Sequence, residues 1–185
     1  MKGKKFFKMI LCVVTLLVMV AVVQAETRGV TKNQIVVGTH TALSGPVAGW
    51  GIDATNGVRM RFDEANETGG IYGRKIKYIV EDSQYRVPIA VQKANKLVNR
   101  DKAFFLIASI GTPMNNAIFP MLEKKNVPNL FPFTAARSMY EPHNKLKFAN
   151  LAPYYGNVRA GLKYFVEEKG KKRVCMMYQD TDFGL

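Results

Sequence analysis

Cysteine and histidine are scarce in this chain of 185 residues, which contains two of each. Cys12 lies in a leader that we expect to be removed, so the mature part would keep only Cys175. We expect Cys175 to be buried and to act as a small apolar side chain. One thiol cannot staple a fold, so stability must come from a hydrophobic core. His40 and His143 are far apart and have no Cys or His neighbours, so no metal site is predicted.

The sequence also lacks the motifs of nucleotide binding and of nucleophilic catalysis. Gly45, Gly49 and Gly51 are spaced GxxxGxG, which is neither the dinucleotide fingerprint nor the Walker pattern. Glu81 and Asp82 lie about 30 residues beyond Gly51, whereas the fingerprint places its ribose-binding acid about 20 residues on. We interpret them as a solvated strand end. No serine sits in a GxSxG elbow, and we predict neither a cofactor nor an enzyme.

The first 25 residues have the layout of a secretory signal peptide. Four lysines within the first eight residues precede an apolar run at 9–23, and small residues ending at Ala25 suit a signal peptidase. The run is shorter than the roughly 20 residues that a membrane-spanning helix needs. An uncleaved anchor is the alternative. We expect cleavage after Ala25 and a periplasmic or otherwise extracytoplasmic protein.

Basic residues outnumber acidic ones, by 23 to 14 after the leader is removed. A basic surface can bind nucleic acid, but export separates the protein from that partner, so none is predicted. The densest basic cluster, at 169–173, falls between a predicted helix and a predicted strand. We interpret it as a solvated turn.

Strands and helices alternate along the mature chain. The predicted strands are 34–41, 75–80, 103–110, 128–133, 148–152 and 173–178, and the predicted helices are 52–67, 88–100, 113–125 and 156–169. This alternation implies right-handed crossovers and an α/β fold with a doubly wound parallel sheet. Ligands bind to such sheets at the carboxyl ends of the strands, where the strand order reverses.

The last predicted strand, 173–178, is followed by seven residues and no helix. A parallel strand needs neighbours, so we expect the chain to be the N-terminal portion of a longer protein.

Hydroxyl groups and free amides are what the loops after the strands offer to a ligand. Ser44, Thr112 and Thr134 each lie just beyond a predicted strand, and Thr112 also opens a helix. A helix start presents unpaired N–H groups that suit a carboxylate. The alternative interpretation of Thr112 is a plain N-cap. Trp50, the single tryptophan, is interpreted as an apolar wall of a site or as an ordinary core or surface aromatic.

Several stretches together, in their order and spacing, resemble the leucine/isoleucine/valine-binding proteins of bacterial ABC importers. They are VVG at 36–38, LSGP at 43–46, WG at 50–51, NETGGIYGR at 66–74, ED at 81–82, ANKLV at 94–98, GTP at 111–113, VPNLF at 127–131 and YQDTDFG at 178–184. The resemblance extends over essentially all of 30–185. It implies a type I periplasmic-binding-protein fold, in which two α/β lobes joined by hinge strands close over a ligand in the cleft.

The resemblance also implies a domain organisation and a function. Residues 26–150 would form the N-terminal segment of lobe 1, and 151–185 the hinge crossover and the truncated start of lobe 2. The protein would deliver an amino acid, branched-chain or other, or a related organic acid or amide, to a membrane ABC permease. It would act as a monomer when full length.

The same resemblance assigns roles to individual residues. Trp50 would line the pocket for the ligand side chain, and Phe183 would be an aromatic offered by the second lobe. The remaining implied contacts are to the ligand's carboxylate and amino groups and come from Ile110, Gly111, Thr112, Thr134, Ala135 and Ala136. The family commonly has a Thr or Ser where this chain has Arg137, which favours a second acidic group on the ligand.

Two other functions stay open at this point. A sensory module of the same fold would bind a ligand and pass the signal to a receptor or regulator instead of a permease. An exported enzyme could also be built on a doubly wound sheet.

Overall fold

The computed structural model describes residues 27–184, in which five parallel strands form one sheet with the order β2-β1-β3-β4-β5. The strands are β1 Gln34–Thr41, β2 Lys75–Asp82, β3 Phe105–Ile107, β4 Asn129–Leu130 and β5 Lys147–Phe148. The helices are α1 Ala48–Glu67, α2 Val87–Asn95, α3 Thr112–Lys125 and α4 Tyr154–Lys163. Shorter turns are the π-helical Lys96–Arg100 after α2, the 3-10 turn Arg137–Met139 and the π-helical Tyr164–Glu168 after α4.

Helices cover both faces of this sheet. Register partners on parallel strands point to the same face, and Val37 of β1 is paired with Tyr78 of β2. The Tyr78 ring packs edge-on against Phe62 at 5.3 Å between centroids, which places α1 on that face. Val36 points to the opposite face and packs there with Leu97, which follows α2. The predicted α/β fold with a doubly wound parallel sheet is confirmed.

The main core lies between the sheet and the helices α2 and α3, which cover one of its faces. Its buried members are Val36, Ala94, Leu97, Val98, Ala103, Leu106, Ile118, Phe119, Leu122, Val127 and Met139. Leu106 of β3 is fully buried at the centre of the sheet, as expected for a parallel strand covered on both faces. This core holds the two helices rigidly against the strands, so that the loops at the carboxyl ends of the strands start from fixed positions.

The strands β3 and β4 end earlier than predicted because each is interrupted by a residue in the left-handed region. Ala108 has φ 52° and ends β3, and Phe131 has φ 50° and ends β4. Such angles are costly for residues with a Cβ and end a regular strand. Pairing resumes just beyond both kinks as an isolated parallel bridge between Ile110 and Phe133. The segments that follow β3 and β4 therefore turn together at the carboxyl edge of the sheet.

The prediction of a strand at 173–178 is wrong. No residue of this segment is paired as a strand, and Cys175, predicted to be buried, is exposed. A strand needs a hydrogen-bonding neighbour, and within residues 27–184 no other strand runs beside the segment. Its apolar run therefore has nothing to pack against, and α4, which precedes it, buries none of its residues either.

The predicted signal peptide and its cleavage after Ala25 lie outside the described residues. Within 27–184, no helix combines the length and the apolar character that crossing a membrane requires.

Candidate functional site

The strand order reverses between β1 and β3. The chain leaves β1 for β2 on one side and then returns past β1 to β3 on the other. The loops that follow β1 and β3 therefore leave the sheet in opposite directions and open a crevice between them, which is where ligands bind to sheets of this kind. Trp50 follows β1, and Ile110, Gly111 and Thr112 follow β3, so the structure places these predicted residues on either side of the crevice.

Trp50 lies in the first turn of α1, whereas the sequence predicted it in a loop ahead of a helix starting at residue 52. The helix starts four residues earlier, at Ala48. Glycine is a poor helix former, and Gly49 and Gly51 concealed this start. The Trp50 side chain is 66% exposed, and its ring packs against Phe133 at 5.9 Å between centroids, with the planes tilted by 47°. Trp50 is thus held by one aromatic neighbour and keeps most of its surface open to the crevice.

The loop between β1 and α1 is organised by the carboxylate of Asp82. This carboxylate accepts hydrogen bonds from the Leu43 amide at 2.9 Å, the Ser44 hydroxyl at 2.6 Å and the Gln84 amide at 2.9 Å. Burial acts to raise the pKa of Asp82, but the hydrogen bonds from Ser44 and from the backbone amides outweigh it and lower the pKa. The Ser44 hydroxyl therefore uses its proton within the loop. Asp82 holds this loop in place and is not simply a solvated strand end.

The carboxylate of Glu81 also forms ion pairs within the protein. It pairs with Lys93 of α2 at 3.0 Å and with Lys96 at 2.7 Å. Burial acts to raise the pKa of Glu81, and the two lysines more than offset it, so that the pKa is lowered. Both acids that end β2 therefore fasten neighbouring elements to the sheet.

A pair of buried hydroxyl groups joins the loops after β3 and β4. The Oγ1 atoms of Thr112 and Thr134 are 2.6 Å apart, and the two residues are 1% and 2% exposed. Each hydroxyl carries one proton, and their mutual hydrogen bond uses one of the two. The second proton remains available to an acceptor placed beside the pair.

Two backbone amides next to this hydroxyl pair are unpaired. Within residues 27–184, neither the Ile110 amide nor the Thr112 amide donates a hydrogen bond, although both residues are buried. Buried N–H groups are almost always paired. Gly111, between them, has φ 98°, a conformation that favours glycine, and it turns the chain from the strand end into α3. We define the clamp as the amides of Ile110 and Thr112 together with the hydroxyls of Thr112 and Thr134.

Ala135 and Ala136 contribute through the backbone and through packing. Ala135 is buried, and its carbonyl accepts a hydrogen bond from the Tyr154 amide at 3.2 Å, which ties the loop after β4 to the start of α4. The Ala136 side chain packs against the main core. The guanidinium of Arg137 is exposed and forms an ion pair with Glu141, so its charge already has a partner within the chain.

Phe183 lies against Tyr154, with the two rings edge to face at 5.4 Å between centroids. The preceding residue, Asp182, accepts a hydrogen bond from Asn116 of α3 at 2.8 Å. Phe183 is 43% exposed. The structure therefore brings together Trp50 with Phe133 and Thr112 with Thr134, and places Phe183 beside Tyr154.

Three aromatic residues near the clamp were missed by the sequence analysis. Phe133 supports Trp50, Tyr154 supports Phe183, and Tyr85 borders Gly111, because its Cε2 is 2.9 Å from the position that a Cβ at residue 111 would take. Tyr85 has φ 55°, a backbone conformation that a tyrosine does not signal in a sequence. The alternation of elements identified the loop at 81–87 but not the side chain that reaches the site.

A doubly wound lobe with a polar clamp and an exposed aromatic at its switch point has the construction of a small-molecule-binding lobe. The chain belongs to the periplasmic binding protein family, whose sequence model matches residues 34–185. This confirms the resemblance found in the sequence.

Relatives and solved structures agree with that membership. The leucine-specific-binding protein of Salmonella typhimurium is 26% identical over 86% of this chain and 43% of its own length. The Leu/Ile/Val-binding protein BraC3 of Rhizobium johnstonii is 26% identical over 81% of this chain and 41% of its own. The crystal structure of a substrate-binding periplasmic protein from Ralstonia solanacearum superposes with a TM-score of 0.75 at 26% identity, over 80% of this chain and 42% of that one. The chain thus spans less than half the length of these relatives, and the predicted type I periplasmic-binding-protein fold is confirmed for the part it spans.

Proposed function

We propose that this chain forms the first lobe and the start of the second lobe of an extracytoplasmic solute-binding protein. The proposed division is 26–150 for lobe 1 and 151–185 for the crossover and the start of lobe 2. The protein would deliver a small carboxylate-bearing solute to a membrane ABC permease. Candidate solutes are a branched-chain or other amino acid, or a related organic acid or amide. The relatives named for binding leucine, isoleucine and valine support this ligand class.

The observation that carries the proposal is the cluster of hydrogen-bond donors in the clamp. It offers two unpaired amides and one free hydroxyl proton from buried residues at the switch point of the sheet. A carboxylate accepts several hydrogen bonds at once, and hydrogen bonds to an ionised acceptor are the stronger kind. The N-terminal end of α3 adds a partial positive charge at the same place. A carboxylate has enough lone pairs to satisfy all of these donors together.

The apolar part of the ligand would lie against the Trp50 and Phe133 rings. The second lobe would close over it, with Phe183 among its contacts and the backbone of Ala135 near the hinge. A ligand that contacts both lobes favours the closed state, because only that state makes the full set of contacts. The closed monomer would then dock on the permease. Binding without turnover is proposed, in keeping with the relatives, which are named as binding proteins.

A thermal-shift screen of the full-length protein tests the proposed function. The panel is L-leucine, L-phenylalanine, benzoate, succinate and acetamide, of which the first four carry a carboxylate. At about 100-fold excess over its Kd, a true ligand should raise Tm by about 3 °C or more. A panel without any stabilising carboxylate, or with acetamide alone active, would contradict the proposal.

The variant Thr112→Val keeps the volume of the side chain and removes one clamp hydroxyl. It should weaken ligand binding about tenfold or more, because a hydrogen bond to a charged group contributes about 1.5–3 kcal/mol.

Trp50→Ala should weaken ligand binding while leaving the fold nearly unchanged. The Trp50 side chain is mostly exposed without ligand, so its removal costs the free protein little, whereas the bound state loses a large apolar contact. We expect affinity to fall about tenfold or more, as measured by isothermal titration, with Tm of the unliganded protein within about 2 °C of wild type. Tyr72→Ala, which removes a ring that is 94% exposed and far along the chain from the clamp, is the matched control. Equal affinity of the Trp50 variant and wild type would show that Trp50 has no ligand role.

A further inference from the structure

Asn115 lies near the start of α3 and is completely buried. It was not among the predicted site residues. Its Nδ2 donates hydrogen bonds to the carbonyl oxygen of Ser109 at 2.9 Å and to that of Gly111 at 2.8 Å. Its Oδ1 accepts a hydrogen bond from Nδ2 of Asn129, a buried residue of β4, at 2.9 Å. Both donors and the acceptor of the side chain are thus engaged.

The two carbonyl groups that Asn115 binds belong to the same peptide units as the clamp amides. The Ser109 carbonyl shares its peptide with the Ile110 N–H, and the Gly111 carbonyl shares its peptide with the Thr112 N–H. In a trans peptide, the planar unit holds the N–H and the C=O on opposite sides. Because Asn115 holds both carbonyls toward its own side chain, both amides are directed away from it. The Asn115 side chain therefore bonds to both peptide units that carry the unpaired N–H groups, in addition to the backbone amides that the same carbonyls accept.

Packing alone does not account for an asparagine at this position. The other fully buried side chains of α3 beyond its first residue include Met114, Ile118 and Leu122, which are all apolar. Burying an amide side chain costs free energy unless its groups are paired. Both hydrogen-bond donors of Asn115 bond to the loop that carries the clamp, and its acceptor bonds to Asn129 of the neighbouring strand. Its hydrogen bonds therefore stabilise the geometry of that loop.

We propose that Asn115 is a positioning residue for the ligand carboxylate, acting by fixing the direction of the Ile110 and Thr112 amides. This inference rests on the proposed function, since it assigns a purpose to the clamp. Asn115 does not itself touch the ligand. It acts through the two peptide units, and Asn129 holds its amide in the required orientation.

The test compares two variants of Asn115 with a matched control in the full-length protein. Asn115→Leu keeps a similar volume and removes both donors. It should still fold, because the Ser109 carbonyl also accepts the Phe133 amide at 2.9 Å and the Gly111 carbonyl also accepts the backbone amide of residue 115 at 3.1 Å. Asn115→Ser retains one hydroxyl that can donate to the carbonyl four residues earlier, that of Gly111. Leu122→Ala is the control, because it destabilises the same helix through a cavity nearly three turns from the clamp.

Two measurements are made at a temperature well below every Tm, with whichever member of the five-compound panel stabilises wild type most. Isothermal titration gives the Kd, and hydrogen exchange of peptides covering 109–113 gives the protection that the ligand confers on the clamp amides. We expect Asn115→Leu to weaken binding at least tenfold and to lose that protection. Asn115→Ser should fall between it and wild type, and Leu122→Ala should keep both the Kd and the protection.

The outcomes distinguish the positioning role of Asn115 from the proposed function of the protein. Wild-type binding with protection, combined with an unchanged Kd and unchanged protection in Asn115→Leu, overturns the positioning role and leaves the proposed function standing. An equal loss of affinity in Leu122→Ala also overturns it, because destabilisation alone would then explain the effect. Failure of all four carboxylates to bind wild type overturns the proposed function and the inference with it. If Asn115→Leu does not fold, the Kd of Asn115→Ser decides in the same way.

Discussion

Gly51→Ala is expected to destabilise the protein by about 3 kcal/mol, the upper part of the range for overpacking a buried site. A Cβ at residue 51 would lie 2.0 Å from the carbonyl oxygen of Ala42 and 2.8 Å from Oγ1 of Thr41. The first of these atoms belongs to the backbone at the end of β1, which cannot rotate away. Alanine would gain up to about 1 kcal/mol of helix propensity over glycine, but the clash outweighs this gain.

Gly49→Ala is the matched control, because it lies in the same turn of α1 and a Cβ there would meet nothing within 4 Å. This variant should be more stable than wild type by up to about 1 kcal/mol. Urea denaturation of both variants in the full-length protein measures the difference. A Gly51 variant as stable as wild type would show that α1 does not approach β1 as closely as described.

The close approach at Gly51 has a consequence for ligand binding. Trp50 is the preceding residue, and its ring is placed against Phe133 only when the first turn of α1 sits on the end of β1. We therefore expect Gly51→Ala also to weaken binding, whereas Gly49→Ala should leave the Kd unchanged. Gly51 is therefore best explained by this packing of helix on strand and not by room for a phosphate.

Local patterns in the sequence predicted those parts of the fold that depend on local chemistry. The β-branched run of β1, the alternation in β2 and the prolines opening α2 and α3 are signals that a few neighbouring residues carry. The location of the switch point between β1 and β3 came from the structure, because the spatial order of strands is not a local property. The sequence patterns placed Thr112 and Thr134 at strand ends but could not show that their hydroxyls meet, since the two residues are 22 positions apart.

Non-local geometry accounts for what the sequence did not reveal. The kinks at Ala108 and Phe131 arise in residues that have no special preference for the left-handed region. The apolar run at 173–178 has the composition of a strand, but strand formation depends on a neighbour that periodicity cannot supply. Asn115 looks like an ordinary helix residue until the carbonyls of Ser109 and Gly111 are seen to converge on it.

The second large effect is expected from acidification, through His40 of β1. This side chain is fully buried, and within residues 27–184 neither ring nitrogen has a hydrogen-bond partner. Burial lowers the pKa of His40 from 6.5 to about 4, because the charged ring would be held without water. Its register partner Glu81 offers no compensation, since that carboxylate is already paired with Lys93 and Lys96.

The direction of the pH dependence follows from which state of the protein, folded or unfolded, binds the proton. Between the two pKa values, the unfolded chain protonates this histidine and the folded protein does not, so stability falls as the pH falls from 6.5 toward about 4. At about 1.4 kcal/mol for each pKa unit, His40 should cost the folded state about 2–3 kcal/mol between pH 7 and pH 4.5. Carboxylates such as Asp82, whose pKa is lowered on folding, add a further loss at lower pH.

A difference measurement isolates the contribution of His40 from that of the other groups. His40→Leu has a similar volume and cannot be protonated, so its free energy of unfolding should fall by about 2–3 kcal/mol less than that of wild type over the same pH range. His143→Gln, at an exposed position, is the matched control for the loss of a histidine. Urea denaturation at a series of pH values measures all three proteins. Parallel curves for His40→Leu and wild type would show that His40 is protonated at the same pH in the folded and unfolded states, which its complete burial without a partner should not allow.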